Sequence, residues 1–241
     1  MTADQVNDGT GRTPTAGAEP VSGTLTLRVD GRHLLSAEAV AAVGAVCDSA
    51  EDLDGRARVV VQVSGVPRGP WPDDLTVSLV NKWERALRRL ERLPAPTIAV
   101  ADGDCGGLAL DAMLAADYRI ATRTVRLVVP VAGGATWPGM ALYRLVAYGA
   151  NGAAIRRAVL YGTPVDAVDA HALQLVDELT GDAAEALARA GERVRAVAGT
   201  ELAIRRQLLS DAATTSFDEA LGVHLAACDR ALRRAAREAD A

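Results

Sequence analysis

The sequence predicts an α/β fold: a mostly parallel β-sheet flanked by helices, followed by an α-helical C-terminal part. Two patterns predict it. Short β-branched or alternating runs take turns with stretches of helical periodicity through the first half of the chain, and from Val131 onward the pattern is almost wholly helical. Composition agrees, since 241 residues with 49% hydrophobic and 24% charged side chains can bury a substantial core. Aromatics are only 3%, so that core must be built from Ala, Val and Leu.

Residues 24–29 (TLTLRV) alternate as a strand does, and Ser36 caps a helix running to about Asp48. Residues 59–63 (VVVQV) are too few for a helix and read as a buried strand. The loop over 64–74 holds Pro67, Pro70 and Pro72, and Asp74 is the expected cap of the next helix. On that helix Leu75, Leu79, Trp83, Leu87 and Leu90 recur at helical spacing, until Pro94 and Pro96 stop it. A buried strand over 97–100, a glycine-containing turn and a helix over about 107–116 follow, then strands over 118–121 and 125–129. Asp182 with Glu185 and Ser216 with Glu219 are capping-box pairs that open two late helices.

The expected organisation is a disordered arm over 1–22, an α/β core over 23–179 and a helical region over 180–241. The arm is polar and rich in Gly, Thr and Pro, with no apolar stretch of the signal-peptide kind. No run is long enough for a membrane helix, so a cytoplasmic protein without a membrane partner is expected. A net charge of -5, with no aromatics interleaved among the basic residues, argues against nucleic acid. Cys47, Cys105 and Cys228 are odd in number and widely spaced, which excludes a disulfide framework or zinc site and leaves small buried hydrophobes. His33, His171 and His224 lack any neighbouring metal or triad pattern and read as structural or surface residues.

The run Asp102, Gly103, Asp104, Cys105, Gly106, Gly107, Leu108 reads as a strand delivered into a tight turn and then a helix. Small residues let a ligand approach the backbone there. The first N–H groups of the helix have no internal partner and sit at the positive end of its dipole, which suits a developing oxyanion. Turn chemistry explains Asp102 and Asp104, with Asp104 held as a reserve acid beside the ligand.

The wider stretch over 96–117, PTIAVADGDCGGLALDAMLAAD, resembles the enoyl-CoA hydratase/isomerase (crotonase) family. Pro96, Ile98, Ala99, Gly103, Gly107 and Asp117 fall in register with the family's pattern, although Gly106 and Gly107 sit one place early relative to its glycine triplet. The resemblance continues through Pro138, Gly139, Arg144, Leu145, the run LYGTPVDA over 160–167, Asp169, Ala170, Leu175 and Val176. It implies a ClpP/crotonase-like spiral β-β-α core with a helical C-terminal trimerisation region, assembled as a trimer or hexamer. It also implies an acyl-CoA thioester as ligand, with coenzyme A entering as part of the substrate and no separate cofactor or metal.

By the same resemblance, two backbone N–H groups hold the thioester carbonyl. Leu108 supplies one, with Gly106, Gly107 and Asp104 near the substrate. The second comes from the loop after Val63, from Gly69 or Trp71, because the prolines there cannot donate. Of the family's two catalytic glutamates, the first position carries Asp111, three residues after Leu108 and on the same side of the helix. The second falls on Val131, which cannot transfer a proton, so ordinary two-glutamate hydration is not expected. Trp71 and Trp137 either cover an acyl pocket or fill the core.

The short loop, the missing second acid and the modest length are similar to one branch of the family, the small accessory crotonases of 3,5-dihydroxyphenylglycine formation in antibiotic biosynthesis. What that implies is assistance to a type III polyketide synthase, alongside other crotonase-like proteins, in making 3,5-dihydroxyphenylacetyl-CoA from malonyl-CoA. Asp111 would drive a dehydration coupled to aromatisation. The alternatives are a non-catalytic crotonase-fold partner that stimulates the synthase, and a plain enoyl-CoA hydratase/isomerase.

Overall fold

The computed structural model describes residues 23–54, 56–69, 75–132, 134–150, 152–194, 199–212 and 214–239. The arm expected over 1–22 lies outside them. The first half follows the predicted order: β1 (Gly23–Asp30), α1 (Ala37–Asp52), β2 (Ala57–Gly65), α2 (Val77–Leu90), β3 (Thr97–Gly106), α3 (Leu108–Leu114) and β4 (Tyr118–Thr122). Ser36 Oγ accepts from Ala39 N–H at 3.3 Å and caps α1 as expected. Thr76 Oγ1 caps α2 by accepting from Leu79 N–H at 3.2 Å, whereas the cap expected at Asp74 lies outside the described residues.

β1, β2, β3 and β4 pair parallel in that order. Parallel neighbours joined by helices bury both faces of the sheet, which is why Val59, Val60 and Val61 of β2 are consecutive and all buried. The alternation along the central strands sorts two cores. Ala99, Ala101 and Ala121 face the main core with α1, α2 and α3, while Ile98 and Ile120 face Ala186 and Ala190 on the opposite side.

The chain beyond Val131 is less purely helical than its pattern predicts. β5 (Arg126–Val128) is followed by β6 (Val131–Ala132), β7 (Ala135–Thr136), α4 (Ala141–Tyr148), α5 (Gly152–Tyr161), β8 (Val165–Asp166), α6 (Ala167–Ala172) and β9 (Glu178–Thr180). Strands of two or three residues are too short to display a period of two, so only their pairing reveals them. β8 pairs antiparallel with β5, and β9 adds a parallel edge to β4. The last helices are α7 (Ala183–Val194), α8 (Thr200–Asp211) and α9 (Phe217–Ala239). Ser216 and Glu219 form the expected reciprocal cap, with Glu219 N–H donating to Ser216 Oγ and Ser216 N–H donating to the Glu219 carboxylate.

The two ends of the 96–117 stretch meet. Asp117 Oδ2 accepts from both the N–H and the hydroxyl of Thr97, each at 2.8 Å, and Asp117 N–H donates back to Thr97 Oγ1 at 2.9 Å. Arg206 of α8 pairs with the same carboxylate and donates to the carbonyls of Leu93 and Ala95. Asp117 therefore joins the start of β3, the end of α3 and the C-terminal helices. Its place in the motif is a structural one.

Candidate active site

β3 runs six residues further than the strand expected over 97–100, because it changes partner midway. Residues 98–101 pair with β4, and Asp104, Cys105 and Gly106 pair with β5. The bend between them passes through Gly103, at φ +66°. Asp102 secures the bend by accepting from the hydroxyls of Thr122 at 2.7 Å and Thr124 at 3.2 Å. The strand thus delivers Gly106 and Gly107 to the carboxyl end of the sheet, where open α/β folds bind ligands. Gly107 has φ +56°, a conformation that disfavours a side chain, and it caps α3 without any side-chain bond. Leu108 begins the helix with its side chain buried in the core and its N–H at the positive end.

Asp111 sits one turn on, completely buried. Oδ2 accepts from Trp137 Nε1 at 2.7 Å and from Trp83 Nε1 at 3.2 Å, while Oδ1 has no partner among the described residues. Burial pushes the carboxyl up to about 7, and the nearby Glu84 carboxylate adds to the rise. The two indole N–H groups and Arg144 oppose it without cancelling it. Behind this centre lies a buried ion cluster. Arg144 donates to Glu84 at 2.9 Å and to Glu91 at 2.7 Å, and Glu84 also accepts from Met140 N–H at 2.7 Å.

The opposite wall departs from what a two-acid site needs. Pro67 packs its ring on Gly107, so close that a Cβ there would lie 2.9 Å from Pro67 Cγ. Trp137 closes the same side, and a Cβ on Gly139 would overlap Asp111 Oδ2. Val131, at the position of the second acid, lies on β6 with its side chain half exposed. Of the two candidates for the second oxyanion donor, Gly69 has φ +88° and open space around it, and Trp71 lies outside the described residues.

Asp104, the expected reserve acid, is held in an ion pair. Arg126 donates to both its oxygens at 2.7 Å and holds the carboxyl below its ordinary range. A group so paired keeps its charge and gives up no proton near neutrality. It lines a cleft of about 560 Å³ with Arg32, Arg68, Arg126 and the Gly65 backbone at the strand ends. A second cavity, about 420 Å³, opens between β1 and α1 and ends on Trp83 and Leu108. Leu108 therefore has its side chain on one cavity and Asp111 one turn behind it.

No family model matches the chain. Over 216 residues it is 53% identical to a protein of Amycolatopsis orientalis named enoyl-CoA hydratase, covering 90% of this chain and 99% of that one. The chain belongs to the enoyl-CoA hydratase (crotonase) family. Among solved structures it resembles an enoyl-CoA hydratase/isomerase from Marinobacter aquaeolei, with a TM-score of 0.71, 19% identity and 90% of each chain covered. It likewise resembles an enoyl-CoA hydratase from Mycobacterium smegmatis, with a TM-score of 0.70, 22% identity and 86% of each chain covered. At such identities these structures speak for the fold alone, and that fold is the α/β crotonase architecture expected from the sequence.

Within this crotonase the predicted residues divide. Gly106, Gly107, Leu108 and Asp111 come together; Asp104 faces a separate cleft in an ion pair. The sequence gives Trp83 a place in the helical spacing of α2 and leaves Trp137 between core and pocket. Both are core, at 0% and 2% exposure, and both hold the candidate acid. The available signal was chemical: an indole buried in a chain with so few aromatics still needs an acceptor for its N–H.

Proposed function

We propose that this crotonase carries out hydratase-type acyl-CoA chemistry, adding or removing water through one carboxyl, Asp111, beside an oxyanion site at the Leu108 N–H. The observation that carries the proposal is the state of Asp111. A carboxyl near pH 7 is poised both to take and to give a proton at neutrality, which a single acid/base must do. The Leu108 amide would take the charge that develops on the thioester oxygen. The cavity ending on Leu108 and Trp83 has room for an acyl group, and the arginine-lined cleft suits the phosphates of coenzyme A. No further cofactor is required by this chemistry.

The finer reading is dehydration of a polyketide thioester with aromatisation, in support of a type III polyketide synthase that makes 3,5-dihydroxyphenylacetyl-CoA. It is supported by Val131 in place of the second acid, because aromatisation supplies driving force that hydration of an isolated double bond lacks. An exposed apolar stripe on α9, with Phe217, Leu221, Leu225 and Leu232, supports assembly as a trimer or hexamer. Among the described residues no helix is long and apolar enough to cross a membrane.

A specific observation favours a second reading, a non-catalytic partner of the synthase: Asp111 is wholly buried and Pro67 covers Gly107. Incubating the purified chain with acyl-CoA thioesters in the absence of any synthase separates the two. The first reading expects turnover, lost by about 10²–10⁴-fold in Asp111→Asn with assembly intact. Full activity in that variant would sink it. No turnover alone, with stimulation when the synthase is added, selects the second.

A further inference from the structure

Among the described residues Asp111 is the one fully buried carboxyl, and its two oxygens are treated differently. Oδ2 accepts from both indoles, at 2.7 and 3.2 Å. Oδ1 is as deeply buried and has no hydrogen-bond partner. An orphaned polar atom inside an otherwise satisfied cluster costs stability and calls for a role.

The donors are themselves fixed. Trp83 lies on α2 immediately before Glu84, and Glu84 accepts from Met140 N–H and from Arg144, tying α2 to the segment that carries Trp137. Trp137 N–H donates to Pro130 C=O at 2.8 Å. Gly139 leaves no room beside Oδ2 for any other group. An indole N–H can only donate, so neither tryptophan can relay a proton away from Asp111.

We propose that Trp83 and Trp137 are positioning residues that saturate Oδ2 and so make Oδ1 the single oxygen of Asp111 that takes up and returns the proton. The inference rests on the one-carboxyl reading given above. In its ionised form Oδ1 removes the proton from the carbon next to the thioester. The C–H bond breaks, an O–H bond forms, and the electron pair becomes the enolate double bond, with the charge on the thioester oxygen at Leu108. In the second half the Oδ1–H bond breaks and the proton passes to the departing hydroxyl. The C–O bond breaks with its electron pair on the departing oxygen, which leaves as water; the thioester C=O re-forms from the oxyanion, and the enolate pair becomes the new C=C bond. Asp111 ends ionised, as it began. Two donors on Oδ2 keep residual charge on the non-reacting oxygen and prevent the carboxyl from rotating, so the same oxygen, Oδ1, is always the one left without a donor.

The titratable and charged neighbours are few. Glu84 on α2 raises the Asp111 carboxyl and Arg144 on α4 lowers it. Cys105 on β3 is a thiol pushed up by burial and by Asp111 itself.

The test is an infrared titration of the resting protein, with Asp111→Asn to assign the carboxyl band. Trp137→Phe and Trp83→Phe keep a ring and remove the N–H. Each takes a donor from the charged form, so the Asp111 titration should move up by about one pH unit, more for Trp137 than for Trp83. The low-pH limb of the rate profile should move with it. If Trp137→Phe does not fold, β-(3-benzothienyl)alanine at position 137 keeps the indole shape without the N–H. An unmoved titration in the folded variants overturns the positioning role while leaving the one-carboxyl reading intact. A moved titration with an unmoved rate limb overturns the assignment of Oδ1. Full turnover by Asp111→Asn removes the reading beneath it.

Discussion

The wall that carries Asp111 and the wall that closes over it are held by different means. The first is continuous chain: β3 runs into Gly107 and α3 inside the main core, and its ends are clamped by Thr97 and Asp117. The second is assembled from separate places. Pro67 comes from the loop after β2, Trp137 and Gly139 from the approach to α4, and Trp83 from α2. Local spacing alone brings Leu108 and Asp111 together, whereas the second wall exists only once distant elements have packed. The chemistry sits on the first and its tuning on the second.

The largest effect that follows is on stability against pH. Asp111 is held up to about 7 in the folded chain, against about 4 for an unfolded aspartate. Between those values the folded state keeps a proton that the unfolded state has released. The Asp111 contribution to stability is therefore greatest below about pH 4, declines as pH rises, and is gone above about pH 7. The full difference has a ceiling of about 4 kcal/mol. Urea unfolding of the wild type and Asp111→Asn from pH 4 to 8 isolates it, because other carboxyls cancel in the difference. A flat difference would mean that the second wall does not desolvate the acid.

Next comes Gly139→Ala, which alters the second wall where it meets the acid of the first. The added methyl would collide with Asp111 Oδ2 and with Trp137 Nε1, atoms of a buried hydrogen bond rather than a flexible chain end. Overpacking of this kind costs about 1–3 kcal/mol. The expected outcome is a lower denaturation midpoint together with a displaced Asp111 titration. A stable variant whose titration is unchanged would show that the walls are less tightly fitted than their geometry indicates.

The same division explains what was legible in the sequence. The strands over 24–29 and 59–63 and the capping of α1 by Ser36 are local signals, and each has its element. The extension of β3 to Gly106 is not local, since pairing with β5 creates it and no β-branched run marks it. β8 and β9 escape notice for the same reason. Leu108 and Asp111 were legible through their register in the family resemblance, and their three-residue spacing puts them on one side of one helix. The Trp83 and Trp137 contacts were not, because they lie 28 and 26 residues from Asp111 and follow no period. The Asp104 ion pair was not legible either, because its partner, Arg126, is set opposite it by strand register.

The smallest effect on stability concerns the cleft beyond both walls. Arg126 and Asp104 are about half exposed, so breaking their pair by Arg126→Ala should change stability by less than about 1 kcal/mol. Binding should respond more. The substitution removes one of three arginines from the cleft and leaves the Asp104 carboxylate facing it unneutralised. Coenzyme A would then meet a net loss of positive field, and its affinity should fall and depend less steeply on salt. Calorimetric titration at two ionic strengths, with Arg32→Ala measured alongside, reads this directly. If both variants bind coenzyme A as the wild type does, its phosphates lie elsewhere.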